Sequence, residues 1–196
     1  MSSNTSFEPK MIVFTAPSGS GKTTIVHHLL GKFKDLAFSV SATSRNPRPH
    51  EQEGVDYYFV SKDEFKKLIK KQAFAEWEQV YEDQFYGTLK SEITRIWNLG
   101  KHVVFDIDVK GALAIKNLYK EQCITFFIKT PTLQDLIFRL KKRNTENPHS
   151  LMNRIEKASK ELQFEPYFDH VIINNVLDEA LENAENKLKS QIPNLK

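Results

Sequence analysis

One stretch, MIVFTAPSGSGKTT at positions 11–24, constrains this chain more than any other. Its first half is an apolar run that reads as a strand covered on both faces. A loop of small residues follows, and Lys22-Thr23-Thr24 then opens a run in which Ile25, Val26, Leu29, Leu30 and Phe33 recur at helical spacing. Strand, glycine-containing loop and helix in that order form a phosphate cradle. Backbone N–H groups of the turn and the free donors of the helix N-terminus converge on one point, where the helix dipole adds positive potential. A polyphosphate suits such a loop, with Lys22 spanning its β- and γ-phosphates and the Thr23 hydroxyl offered to Mg²⁺. The cradle comprises Ala16, Pro17, Ser18, Gly19, Ser20, Gly21, Lys22, Thr23 and Thr24. Its first position is Ala16 where the usual pattern has Gly, and a left-handed backbone there would strain an alanine. Pro17 has no N–H to offer.

Further apolar, β-rich runs lie at 36–41, 102–108, 123–129 and 170–174. Between them, helical periodicity occupies 90–99, 112–119, 132–142, 150–163 and 178–190, and Ser61 with Glu64 makes a capping box ahead of Phe65, Leu68 and Ile69. This alternation predicts an α/β fold, a parallel sheet flanked by crossover helices. Two stretches break it: 42–88, rich in Pro, Tyr and charge, and 139–157, where basic residues crowd around Asn, Pro and His. Both read as insertions carrying function rather than core. His27 and His28 lack metal-ligand spacing and read as ordinary helix residues, while Lys141, Lys142 and Lys160 read as solvated charge.

Composition narrows the class. With 28 Lys and Arg against 25 Asp and Glu, the net charge of +3 is too mild to argue for nucleic acid or an anionic membrane as partner. Cys123 is the only cysteine, which excludes an intrachain disulfide and a zinc site built from several thiolates. The first nine residues read as a loose polar tail, neither signal peptide nor membrane span, and no later run approaches the roughly 18 apolar residues of a spanning helix. The expected location is the cytoplasm.

Three more groups of residues bear on chemistry. The run VVF at 103–105 ends in Asp106, a carboxylate placed to hold Mg²⁺ directly or through water, opposite Lys22. Arg45 and Arg48 stand close together in a Pro-rich loop with Tyr57 a short distance on, and two guanidinium forks with a phenol suit a second phosphate. Arg139 and Arg143 are four residues apart and share a helical face, with Arg154 beyond.

Taken together, APSGSGKTT, SVSATSRNPRPHEQEGVDYYFV, AFAEWEQVYEDQFYGT, VVFDIDVKGA and RLKKRNTENPHSLMNRI, in that order, resemble a guanylate kinase across about residues 10–190. The resemblance implies a P-loop nucleoside monophosphate kinase core at 10–41, 89–133 and 165–196, a mixed α/β GMP-binding insert at 42–88 and a helical lid at 134–164. It implies ATP on the cradle, with Arg45, Arg48, Tyr57 and Tyr86 holding the phosphate of GMP. Ser41, Glu76, Thr88 and Asp108 would read guanine. The chemistry agrees: a carboxylate accepts guanine N1–H and N2–H side by side, hydroxyls of Ser41 and Thr88 donate to O6, and adenine would set a bare N1 against the carboxylate. The lid arginines Arg139, Arg143 and Arg154, with Lys22 and Arg45, would stabilise the charge in transfer. Asn144 stands where the family has Gly before Thr145, and Asn tolerates left-handed backbone. The implied partners are ATP, GMP and dGMP, with Mg²⁺ as cofactor, in a monomer or weak homo-oligomer. A protein-binding module that kept the fold without catalysis, and a kinase of another acceptor, are the alternatives. The intact cradle weighs against the first, and Glu76 with Ser41 and Thr88 against the second.

Overall fold

The computed structural model describes residues 7–81, 83–142 and 148–196. The chain opens with β1 (Met11–Thr15), α1 (Lys22–Lys32) and β2 (Leu36–Phe38). It then runs through β3 (Ala42–Thr43), β4 (Tyr58–Phe59), α2 (Lys62–Lys70), β5 (Phe74–Tyr81) and β6 (Gln84–Leu89). Next come α3 (Lys90–Asn98), β7 (His102–Asp106), α4 (Val109–Tyr119) and β8 (Cys123–Lys129). The remainder is α5 (Leu133–Lys142), α6 (Pro148–Leu162), β9 (His170–Ile173) and α7 (Leu177–Gln191).

The central sheet is parallel throughout, in the order β2-β7-β1-β8-β9, with Met11 opposite Val103 on one side and Cys123 on the other. Both faces are covered, and the period-2 alternation of β1 decides which side chain goes where. Ile12 and Phe14 pack with Ile25, Leu29, Phe126 and Leu188 on the face under α1 and α7. Met11 and Val13 pack with Ile93, Phe105, Ile115 and Phe127 on the face under α3 and α4. After β1 the chain therefore turns to one face, and after β7 to the other. A crevice opens between those two strand ends, where open α/β sheets bind ligands.

Two predicted strands are shorter than the apolar runs suggest. The 36–41 run stops at Phe38: Ser39 N–H still donates to Val104 O at 2.9 Å, but Val40 N–H turns to the Glu92 carboxylate at 3.2 Å. The 102–108 run stops at Asp106, because Asp108 leaves the sheet to cap α4, its Oδ1 accepting from Gly111 N–H at 2.9 Å. That cap also starts α4 at Val109 rather than at 112.

The stretch 42–88 forms a second sheet, β4-β3-β6-β5, in which β3–β6 and β5–β6 are antiparallel. Contrary to expectation it carries a core of its own: Phe65 of α2 stacks on Phe74 and Phe85, over buried Ala42. Ser61 caps α2 as expected, its Oγ accepting from Glu64 N–H at 3.1 Å. The basic stretch is likewise rooted in a small core, Leu136 and Leu140 against Ala158. Apolar residues spaced for α5 and α6 were legible, but their burial against each other was not. Lone Cys123 is buried, and burial pushes its thiol up to about 12. His28 ties α1 to α7 through Glu185 at 2.7 Å.

Candidate active site

Gly21 caps α1 with φ +89°, and a Cβ there would lie 2.3 Å from the Asn174 amide nitrogen. That amide donates to Ser20 O at 2.8 Å, so Asn174, buried at the end of β9, pins the cradle from the far side of β8. Gly19 has φ +93° and carries Leu140 of α5 at 3.0 Å from its would-be Cβ, which packs α5 on the loop. Ala16 is buried and is not among the described residues with left-handed backbone, so the alanine in place of glycine carries no φ strain.

At the mouth of the cradle Lys22 Nζ lies 2.5 Å from Asp106 Oδ1 and donates to Ile107 O at 2.9 Å. The Thr23 hydroxyl donates to Asp106 Oδ2 at 3.0 Å. The strand end thus brings together the expected lysine, hydroxyl and carboxylate. Residues 16–24 line a cavity of about 370 Å³, whose other wall is Asp106, Asp108, Arg154, Lys157 and Glu161. Arg154 is therefore at the cradle. Arg139 stands on the opposite side of the loop, donating to Asn174 O at 2.7 Å and lining a separate recess with Gly19, Gly21 and Thr24. Arg143, Asn144 and Thr145 lie outside the described residues.

A second cavity of ≈ 320 Å³ adjoins the first and is walled by Ser41, Tyr57, Glu76, Glu78, Tyr86, Asp106 and Asp108 among others. Arg45 sits against it, its guanidinium 4.9 Å from the centre of the Tyr57 ring and its Nε donating to the Tyr86 hydroxyl at 3.1 Å. Glu51, which sequence reasoning did not single out, fixes that arginine: its two oxygens accept from Nη1 and Nη2 at 2.6 Å each. The Arg45 hydrogen bonds hold the Glu51 carboxyl down to about 2. The only signal for Glu51 was an acid six residues from an arginine in a Pro-rich loop, which has no fixed geometry. Arg48 is exposed and is absent from the lining of this cavity; its backbone N–H donates to Glu51 at 2.8 Å.

Glu76 on β5 accepts from the Thr88 hydroxyl of β6 at 2.7 Å. Two of the residues expected at the base are thus brought side by side. Burial pushes Glu76 up to about 7; its Thr88 bond opposes the rise, and the charges of Asp108 and Glu78 add to it. Glu78, two residues along and so on the same face of β5, also lines the cavity and was not anticipated. Its Oε1 accepts from Lys110 at 2.6 Å, while burial, with Asp108 alongside, raises its pKa.

Comparison with known proteins agrees with this geometry. A family model described as guanylate kinase matches residues 8–191. A guanylate kinase of Bacteroides fragilis is 49% identical over 177 residues, covering 90% of this chain and 87% of the relative. That of Porphyromonas gingivalis is 44% identical over 174 residues, covering 88% and 93%. The crystal structure of guanylate kinase from Anaplasma phagocytophilum superposes with a TM-score of 0.74 at 27% identity, covering 93% of this chain and 86% of that one. With a cradle, a strand-end carboxylate and an acid-lined neighbouring cavity already in place, these likenesses show that the chain belongs to the guanylate kinase family of enzymes.

Proposed function

We propose that the protein transfers the γ-phosphoryl group of ATP to GMP, and to dGMP, by direct in-line displacement with Mg²⁺. The observation that carries this reading is the shared wall of the two cavities: Asp106, Asp108 and Lys157 line both. A triphosphate on the cradle and a monophosphate held by Arg45, Tyr57 and Tyr86 then meet across that wall. An oxygen of the GMP phosphate forms a bond to the γ-phosphorus as the bond to the β,γ-bridging oxygen breaks, and the electron pair leaves on the β-phosphate of ADP. No enzyme nucleophile is needed, so the side chains act by alignment and charge.

Thr23 and Asp106 present oxygen donors 3.0 Å apart at the cradle mouth, a hard donor set that fits Mg²⁺. They would hold the ion together with nucleotide phosphate oxygens, and when bound it neutralises charge on the β- and γ-phosphates. Lys22 balances the same phosphates from the helix terminus. Glu51 keeps Arg45 aimed at the acceptor, and Asn174 keeps the cradle closed on the donor. Glu76 accepts from guanine N1–H and N2–H, and the hydroxyls of Ser41 and Thr88 donate to O6. The protein would work in the cytoplasm, as a monomer or weak homo-oligomer; the buried free thiol of Cys123 fits a reducing compartment.

A coupled assay across nucleoside monophosphates tests the reading. ADP should form from ATP only with Mg²⁺ and GMP or dGMP, and equal turnover with AMP or CMP overturns the guanine assignment.

The raised pKa of Glu76 adds a pH dependence. Guanine needs the ionised carboxylate, so below about pH 7 binding must first strip a proton, and GMP affinity should fall by about tenfold per pH unit. The same shift acts on stability with the opposite emphasis: folding favours the neutral acid, so its contribution declines as pH rises from about 4.5 to about 7. Calorimetric titration with GMP in buffers of different ionisation enthalpy should show proton release near pH 6, and the release should shrink in Glu76→Gln. Affinity that stays flat through this range would show that Glu76 is already ionised.

A further inference from the structure

We propose that Lys157 is a further catalytic residue of the proposed phosphoryl transfer, its ammonium touching both the donor γ-phosphate and the acceptor phosphate. The inference deepens the kinase reading and rests on it. Three residues line both cavities, Asp106, Asp108 and Lys157, and among the described residues Lys157 is the one cation of that shared wall. Lys22 and Arg154 line the cradle alone.

Helix geometry explains its place. Arg154, Lys157 and Glu161 recur at intervals of three and four residues, which puts them on one face of α6, and all three line the cradle. Ala158, next along the chain, is buried against Leu136 and Leu140, so packing of α6 on α5 fixes which face turns to the nucleotides. Glu161 holds the lysine loosely, Nζ to Oε1 at 3.7 Å, and burial raises the Glu161 pKa. A flexible four-carbon stem with a compact charge can leave that partner and follow the phosphoryl group between its two oxygens, which a rigid guanidinium fork does less readily.

The chemistry calls for such a charge. Both reactants are polyanions, and bringing the acceptor phosphate to the γ-phosphorus in line costs Coulomb energy that the two carboxylates on the shared wall would increase. A cation on that wall offsets the repulsion where the bond forms. Lys160, one turn from Glu156 and paired to it at 2.7 Å, lines neither nucleotide cavity.

The test is steady-state kinetics of Lys157→Met, Lys157→Arg and Lys160→Met with ATP and GMP each varied. Met keeps the stem and removes the charge. Lys157→Met should lose about 10- to 100-fold in kcat with an unchanged Tm, since its side chain is 57% exposed. Lys157→Arg should recover part of the loss, and Lys160→Met should stay within twofold of wild type. A kcat for Lys157→Met within twofold of wild type, or a loss matched by Lys160→Met, overturns the proposal while leaving the kinase reading intact. A wild-type protein that makes no ADP from ATP and GMP overturns both.

Discussion

Lys22→Ala is expected to reduce turnover by about 10³-fold or more while GMP binding stays close to wild type. The ammonium is the one lysine at the foot of α1, and it reaches both the Asp106 carboxylate at 2.5 Å and the Ile107 carbonyl at 2.9 Å. In the proposed transfer it would meet the β- and γ-phosphates at the helix N-terminus, where charge shifts toward the leaving oxygen. Alanine removes that interaction and leaves the Asp106 carboxylate without its ammonium partner, bonded to the Thr23 hydroxyl. Loss of one preorganised charge partner in a water-poor site typically costs about 10²–10³ in rate, and the uncompensated carboxylate adds to that. In the proposed reading the GMP phosphate is held by Arg45, Tyr57 and Tyr86, none of which is a bonded partner of Lys22. Rapid-quench or coupled measurement of ADP formation, with GMP binding followed by calorimetry, separates the two effects. Activity near wild type would remove Lys22 from the mechanism, and equal damage to GMP binding would show that the cradle supports the whole fold.

Glu76→Gln should lower kcat/KM for GMP by about 10³-fold and leave the KM for ATP within about twofold. The substitution is nearly isosteric, so the Thr88 hydroxyl keeps an oxygen to donate to. What changes is polarity. A carboxylate offers two acceptors to guanine N1–H and N2–H, whereas the amide offers one acceptor and sets an NH₂ donor against a guanine donor. A buried donor facing a donor forfeits a hydrogen bond and leaves two desolvated groups unpaired, which is why such sites reject the wrong partner strongly. Glu78 and Asp108 remain in the cavity wall, so the loss isolates the reader rather than the total negative charge. If GMP and ATP suffer equally, Glu76 supports structure and does not read the base.

Much of this site was legible because some chemistry depends on local order. Residues 16–24 need only a strand before them and a helix after them, and both follow from the periodicity of the segment itself. Asp106 was legible for the same reason, as the last residue of an apolar strand. Glu51, Glu78 and Lys157 were not. Each acts across a gap that is distant in the chain or set by packing: Glu51 depends on the fold of a Pro-rich loop, Glu78 on which face of β5 turns inward, and Lys157 on how α6 rolls against α5. The antiparallel register also sets Thr88 opposite Glu76, a pairing of two expected base readers that no spacing along the chain encodes.

By itself the sequence determined the alternation of strands and helices, the phosphate cradle and the kinase family resemblance, since hydrophobic period and short-range motif geometry are properties of neighbouring residues. Only the tertiary structure decided that β1 lies between β7 and β8, so that α1 and α4 leave on opposite faces and the crevice opens where Lys22 meets Asp106. It also decided the raised pKa of Glu76 and the position of Lys157, because burial and packing depend on distances between elements that no spacing along the chain encodes.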